Sequence, residues 1–277
     1  MRSLLWTLAV AVALTSPACA ERSRALVQAG AADIEVIQEG AGPLVVMLPS
    51  RGRDSEDYDA VAAAIAARGY RVLRPQPRGM HRSTGPMDEL TLHDFAHDVA
   101  AVIEAQHAGP AVIIGHAYGN WVAHMTAVDH PSLVRGVVLA AAAAKSYPPG
   151  LSEAVTRSAD PAVPEAERRR YLEMAFFAPG HDPSAWLTGW YPAASISQRD
   201  AAARTAQSEW WAGGTVPLLD LQAGDDPFKP AASRTELKDE FGERVTIAVI
   251  PGTRHALLPE APDAVAEAVV AWTRGLP

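Results

Sequence analysis

The sequence predicts an α/β protein: a mostly parallel central sheet flanked by helices, with one inserted helical segment. Three observations predict it. Short continuous apolar runs, the mark of strands buried on both faces, alternate with helical stretches over residues 44–143 and again over 216–274. Between these blocks the strand signals vanish and proline-broken helical pieces take over. The segments richest in chemistry-bearing residues follow the strands, at the carboxyl ends where open parallel sheets place their sites.

Taken in order, residues 32–39 alternate weakly and read as an edge strand. Residues 44–48 form an apolar run that empties into Pro49-Ser50-Arg51-Gly52, as a buried parallel strand would. Residues 57–68, rich in alanine, are spaced for a helix with one buried face, and 70–74 form the next strand before a breaker-rich loop, 75–83. Thr91 is placed to cap a helix over 92–106. A strand over 111–114, a glycine-flanked turn, a helix over 121–128 and a strand over 134–143 complete the first block, as right-handed βαβ units. The insertion spans residues 145–214, with helices over 165–177 and 199–211 and four of the seven tryptophans. The sheet then resumes with a strand over 216–221, a helix over 232–241, a strand over 245–250 and a closing helix over 259–274 that begins at Pro259-Glu260.

Composition bounds the rest. With 48% hydrophobic and 20% charged residues in 277, the chain has the makeup of an ordinary globular protein with one full core. Residues 1–20 read as a secretory leader: Arg2 supplies the basic start, residues 4–14 the apolar core, and Ala18-Cys19-Ala20 a small-x-small cleavage site. The expected mature organisation is a first core block over 21–144, a helical cap over 145–214 and a second core block over 215–277. That makes the protein periplasmic or secreted. Cys19 is the only cysteine, so cleavage after Ala20 leaves no disulfide; a lipoprotein modified on Cys19 is the minority alternative, Ser16-Pro17-Ala18 being a poor lipobox. No later apolar run approaches the roughly 20 residues of a membrane span. A formal charge of −8 argues against nucleic-acid or anionic-membrane partners, which select basic surfaces.

The stretch that organises the chain is Gly115-His116-Ala117-Tyr118-Gly119, set between a buried strand and a helix. Its layout is that of a nucleophile elbow, Gly-x-Ser-x-Gly, in which flanking glycines let the backbone pass too close for a Cβ. The central residue here is Ala117, which has no nucleophilic atom. Leu219-Asp220-Leu221-Gln222-Ala223-Gly224-Asp225-Asp226-Pro227 and Ile250-Pro251-Gly252-Thr253-Arg254-His255 follow in turn. With these motifs in that order, nearly all of the expected mature chain resembles the α/β-hydrolase superfamily. The resemblance implies Asp226 as the acid, with Asp225 as the fallback and Asp220 also open on sequence alone. It implies His255 as the base, and an oxyanion hole from the backbone N–H of Tyr118 and one from the Ser50–Arg51 loop. Departures mark a divergent branch: Pro49-Ser50 stands where His-Gly is usual, Gln76 and His81 where Asp and Gly are usual, and Asn120 replaces a small residue.

Other residues are read against simpler roles. His93 and His97, four apart with Asp94 and Asp98 beside them, have a spacing that could bind a metal, but are read as a solvated helix face, so no metal and no organic cofactor are expected. His116 is read as structural and the Tyr118 ring as packed. Arg51 and Arg53 either meet an anionic substrate group or are solvated loop charges. Trp186, Trp190 and Trp210 either line an apolar substrate pocket or simply hold the cap to the sheet.

The functional expectation is an enzyme acting on a small, partly apolar ester or other carbonyl compound. Its His255–Asp226 dyad would activate water or substrate without a serine. The alternatives are a non-catalytic ligand-binding pseudoenzyme, or a serine hydrolase disarmed by alanine at position 117.

Overall fold

The structure, a computed structural model, describes residues 22–277; the leader over 1–20 and Cys19 lie outside the described residues. The sheet has eight strands: β1 (Ser23–Ala29), β2 (Ala32–Gly40), β3 (Leu44–Leu48), β4 (Arg71–Pro75), β5 (Ala111–His116), β6 (Val134–Ala140), β7 (Leu218–Ala223) and β8 (Val245–Ile250). Their spatial order is β1-β2-β4-β3-β5-β6-β7-β8. Only the β1–β2 and β2–β4 pairings are antiparallel.

The expected edge strand is therefore one place further in. β2 pairs with β4 on one side and with β1 on the other, Ala29 facing Ala32 across a turn at Gly30. β1 escapes sequence reading because most of it is exposed and it shows no alternation of apolar and polar residues. The interior strands behave as their apolar runs predict: every residue of β3, β5 and β7 is buried.

Helices α1 (Asp59–Ala66), α2 (Leu92–Glu104) and α3 (Tyr118–Asp129) connect the first block. Four more, α4 (Leu151–Ala159), α5 (Glu165–Ala175), α6 (Pro192–Arg204) and α7 (Gln207–Trp210), lie between β6 and β7, and α8 (Glu236–Phe241), α9 (Leu257–Glu260) and α10 (Pro262–Arg274) complete the chain. The core forms a layer on each face of the sheet. One lies under α2, α3 and α8, through Phe95, Val99, Val122 and Leu237. The other lies under α1, α9 and α10, through Val61, Ile65, Leu257 and Val269. A third cluster joins Leu172, Phe176 and Trp186 of the helical excursion to Phe228 and Ala256 of the second block.

Several helix boundaries move for local reasons. The 57–68 helix opens with a 3₁₀ turn, Ser55–Tyr58, capped by Asp54, whose side chain accepts from Glu56 N–H. α2 starts where Thr91 predicts it, with Asp94 accepting from Thr91 N–H at 2.8 Å. The expected 199–211 helix divides at Thr205, whose hydroxyl accepts from Leu92 N–H at 2.9 Å and ties the excursion to the start of α2. The closing helix divides at Ala261, which Pro262 forces out of helical geometry, to φ −141° and ψ 59°. Strand β6 ends at Ala140, three residues early, because Ala141 turns to φ 46°. Among the described residues no helix is long and apolar enough to cross a membrane.

This connectivity fixes where a site can form. The chain leaves β3 toward β4 on one side, then crosses back over β3 to β5 on the other. The crevice at that switch point lies between the carboxyl ends of β3 and β5.

Candidate active site

The β5–α3 turn is a tight elbow. Ala117 sits at φ 49° and ψ −113°, a conformation that L-residues with a Cβ rarely adopt and that carries about 1–3 kcal/mol of strain. The flanking glycines are required by contact: a Cβ on Gly115 would lie 2.3 Å from the Gly119 carbonyl oxygen, and one on Gly119 would lie 2.5 Å from that of Leu48. The turn thus packs against the end of β3 and brings Ala117 beside the Ser50–Arg51 loop. As the first residue of α3, Tyr118 has a backbone N–H without an intrahelical partner.

On the far side, the turns after β7 and β8 bring Asp226 and His255 together. His255 Nδ1 donates to Asp226 Oδ2 at 2.9 Å, while the other carboxylate oxygen, Oδ1, accepts from Phe228 N–H at 2.9 Å. Both side chains are buried. Phe228 lies over the His255 ring with centroids 4.1 Å apart, and Glu260 clasps the histidine loop by accepting from Arg254 N–H and Ala178 N–H, each at 2.6 Å. The two other carboxylates left open by the sequence are elsewhere. Asp225 is exposed, and Asp220 is buried in an ion pair with Lys229 Nζ at 3.0 Å.

His116 joins the two sides. Its Nε2 lies 2.6 Å from the carbonyl oxygen of His255, which can only accept, so Nε2 carries the proton. Nδ1 then accepts from the Tyr58 hydroxyl at 2.8 Å, and the Tyr58 oxygen accepts from Ser50 N–H at 3.0 Å. Ser50 N–H is thereby committed, which corrects the expectation that it serves the oxyanion hole. Arg51 N–H makes no hydrogen bond to a described residue and is the available second donor beside Tyr118 N–H.

These groups face a cavity of about 440 Å³ walled by Ser50, Arg51, Ala117, Tyr118 and His255 on the sheet side. Trp121, Tyr147, Phe176 and Phe228 supply its aromatic surface, and Arg199 from α6 also lines it.

Residues 45–268 match the alpha/beta hydrolase family. The chain belongs to the α/β-hydrolase family. The pyrethroid hydrolase of Sphingobium wenxiniae is 25% identical over 232 residues, covering 76% of this chain and 81% of that protein. The pyrrolizixenacetamide deacetylase of Xenorhabdus hominickii is 29% identical over 113 residues, which span only 42% of its length. Among solved structures, the esterase EaEST from Exiguobacterium antarcticum superposes with a TM-score of 0.76 at 19% identity, covering 90% of this chain and 99% of the esterase; at that identity the likeness speaks for the fold.

Within this α/β hydrolase the expectation that three tryptophans line the substrate pocket is corrected in favour of its alternative, that they hold the inserted helices to the sheet. None of Trp186, Trp190 and Trp210 stands in the wall of the cavity that holds His255. Trp186 and Trp190 pack on the Arg53 guanidinium, at 4.9 and 4.8 Å from their ring centroids. Trp210 stacks behind Trp121 at 5.4 Å and lines an adjoining pocket of about 310 Å³. These large rings are absorbed in holding the excursion to the sheet. The cavity's own aromatics were legible only in part: Phe228 lies two residues beyond Asp226 and Trp121 one turn into α3, but nothing in the sequence aims Tyr147 or Phe176 at the site.

Arg53 is likewise structural. It grips Asp57 through two contacts of 2.7 Å, and its neighbour Gly52 donates N–H to Gln198 of α6 at 2.7 Å, so the loop after β3 is clamped by the helical excursion. His93 is half-exposed yet doubly held, by Asp129 at 2.8 Å and Glu209 at 3.2 Å, rather than simply solvated. His97 faces His130 instead, with centroids 6.3 Å apart. Among the described residues no group of three or more His, Cys, Asp and Glu side chains could hold a metal.

Two buried histidines set the acid response. Burial, with the nearby His255, lowers His116 to about 3, and burial, with Arg244, lowers His124 to about 3. Both are neutral in the fold and protonate near 6.5 when unfolded. Their stabilisation is therefore complete above about pH 6.5 and is lost as pH falls toward 3, each adding about 1.4 kcal/mol per pH unit to the slope. His124→Leu should flatten that limb by about one proton, read as unfolding free energy in urea at several pH values between 4 and 7.

Proposed function

We propose that this protein hydrolyses a small, partly apolar ester by general-base attack of water, without an acyl-enzyme. The observation that carries the reading is the intact His255–Asp226 pair facing an elbow whose strained backbone is kept around a methyl group. Asp226 accepts from Nδ1–H, so the unprotonated Nε2 is the base. Ala117 leaves the volume of a hydroxyl for a water, and the cavity of about 440 Å³ accommodates that water together with a substrate.

In this mechanism the water gives a proton to His255 Nε2 as its oxygen bonds to the substrate carbonyl carbon. The carbonyl electrons move onto oxygen, where the N–H groups of Tyr118 and Arg51 receive the negative charge. Collapse breaks the bond to the leaving alkoxide, which takes the proton from the imidazolium. The products are a carboxylic acid and an alcohol, and the free base is restored. Asp226 holds the tautomer and stabilises the imidazolium throughout. The helices over 151–210 act as a cap whose contacts with Gly52 and Arg53 position the oxyanion loop.

The relatives named as hydrolases support hydrolysis as the reaction class. The test is turnover of chromogenic esters of graded chain length by the purified protein and by His255→Ala. The variant should lose about 10²- to 10⁴-fold in kcat/KM, the range for a general base. Equal rates for the two proteins would contradict the proposal. A second reading, a disarmed serine hydrolase, draws on the positive φ of Ala117, since a serine there would need no backbone change.

A further inference from the structure

Arg51 is the anomaly of the cavity. Each of the other enclosed guanidiniums has a carboxylate or backbone carbonyl partner: Arg53 holds Asp57, Arg74 holds Glu39 and Asp59, and Arg78 holds Asp98 through two contacts of 2.7 and 2.8 Å. Arg234, Arg244 and Arg254 bond backbone carbonyls. Arg51 has neither kind of partner among the described residues. Its Nη2 reaches only the Thr156 hydroxyl, at 3.5 Å; its buried Nε has no acceptor, a feature shared with Arg74, Arg234 and Arg254, but those three have anionic or carbonyl partners at their other nitrogens.

A second cation shares the cavity. Arg199 lines the same cavity, and among the described residues its one carboxylate partner is its half-buried neighbour Asp200 at 2.8 Å, a contact of small worth because Arg199 is itself exposed. Among the described residues no Asp or Glu lines the cavity, although the chain carries 32 acidic residues against 24 basic ones. Burial is the main cause that lowers the pKa of Arg51, with Arg199 a smaller one in the same direction. An enclosed guanidinium with a free Nε edge matches a carboxylate, which accepts two parallel N–H bonds.

We propose that the substrate carries a carboxylate, separate from the bond that is cleaved, and that Arg51, assisted by Arg199 and the Thr156 hydroxyl, binds it. This rests on the hydrolytic reading of the cavity and narrows its substrate to half-esters of short dicarboxylic acids or compounds of that charge pattern. The aromatic wall of Trp121, Phe176 and Phe228 would pack on the apolar part between the two ends.

The test separates binding from turnover. Calorimetry would compare glutarate, glutaramide and butyrate on the parent protein. Glutarate should bind best, because butyrate carries only the carboxylate that hydrolysis releases and glutaramide carries none. Arg51→Met should weaken glutarate roughly 10- to 100-fold, and added salt should weaken it in the parent, as expected of an ionic contact. If Arg51→Met does not fold, Arg199→Gln and the salt series still decide. In turnover, the ratio of kcat/KM for monoethyl glutarate to that for ethyl butyrate should fall in Arg51→Met. Glutarate binding that depends on Arg51, without any ester turnover, would uphold this site and sink the hydrolytic reading. Glutarate no tighter than butyrate, or unaffected by Arg51→Met, Arg199→Gln and salt, would overturn the proposal itself.

Discussion

Asp226→Asn should lower kcat/KM by about 10⁴-fold while leaving the fold intact. The size follows from the orientation of one amide. Phe228 N–H donates to Oδ1, so the new side chain must keep its oxygen there and turn its NH₂ toward His255 Nδ1. An NH₂ can only donate, which moves the ring proton to Nε2 and removes the base. Asp226→Ala leaves the tautomer free and should fall less far. Circular dichroism and urea unfolding, together with kinetics on the same ester, would separate lost chemistry from lost structure. Equal activity of parent and Asp226→Asn would show that His255 is not the base.

Ala117→Ser should change the pathway more than the rate. A serine at φ 49° adopts the elbow without a backbone shift and is acylated by an activated ester. Turnover then requires water to attack the acyl-serine, using the same base and the same two N–H donors. That second step is the same reaction, water on an ester in this site, that the proposed mechanism performs in one step. Steady-state turnover should therefore stay within about tenfold of the parent, since the slower of two steps sets kcat. A disarmed serine hydrolase would behave differently. Its parent form retains about 10³- to 10⁴-fold over water from binding and the oxyanion hole alone, and restoring the serine should raise turnover far above that.

How much of this was legible in the sequence follows from the range of the interactions involved. The β5 elbow, the acid turn and the histidine loop are local: apolar runs, glycines and breakers encode them, and the structure brings Ala117 and His255 to one cavity, with Asp226 bonded to His255 Nδ1. The resemblance points to Asp226, but on the residues alone Asp225 and Asp220 stay open. The choice among them depends on which carboxylate points inward and on Lys229 occupying Asp220. Strand β1 was missed because an exposed edge needs no hydrophobic pattern. The sequence leaves the three tryptophans open between lining the pocket and holding the cap, because ring size says that a residue will be buried, not against what. The commitment of Ser50 N–H to Tyr58, and hence the weight falling on Arg51, depends on contacts between segments that a linear reading does not join.

The central claim, attack by water with no acyl-enzyme, is tested most directly by rapid-mixing kinetics of the parent beside Ala117→Ser on one activated ester. The account predicts linear product release from the parent at a rate well above His255→Ala. For Ala117→Ser it predicts a burst of about one product per active site, followed by turnover within about tenfold of the parent. A parent at background, with Ala117→Ser faster by about 10³-fold or more, would contradict it and identify the protein as a serine hydrolase lacking its nucleophile.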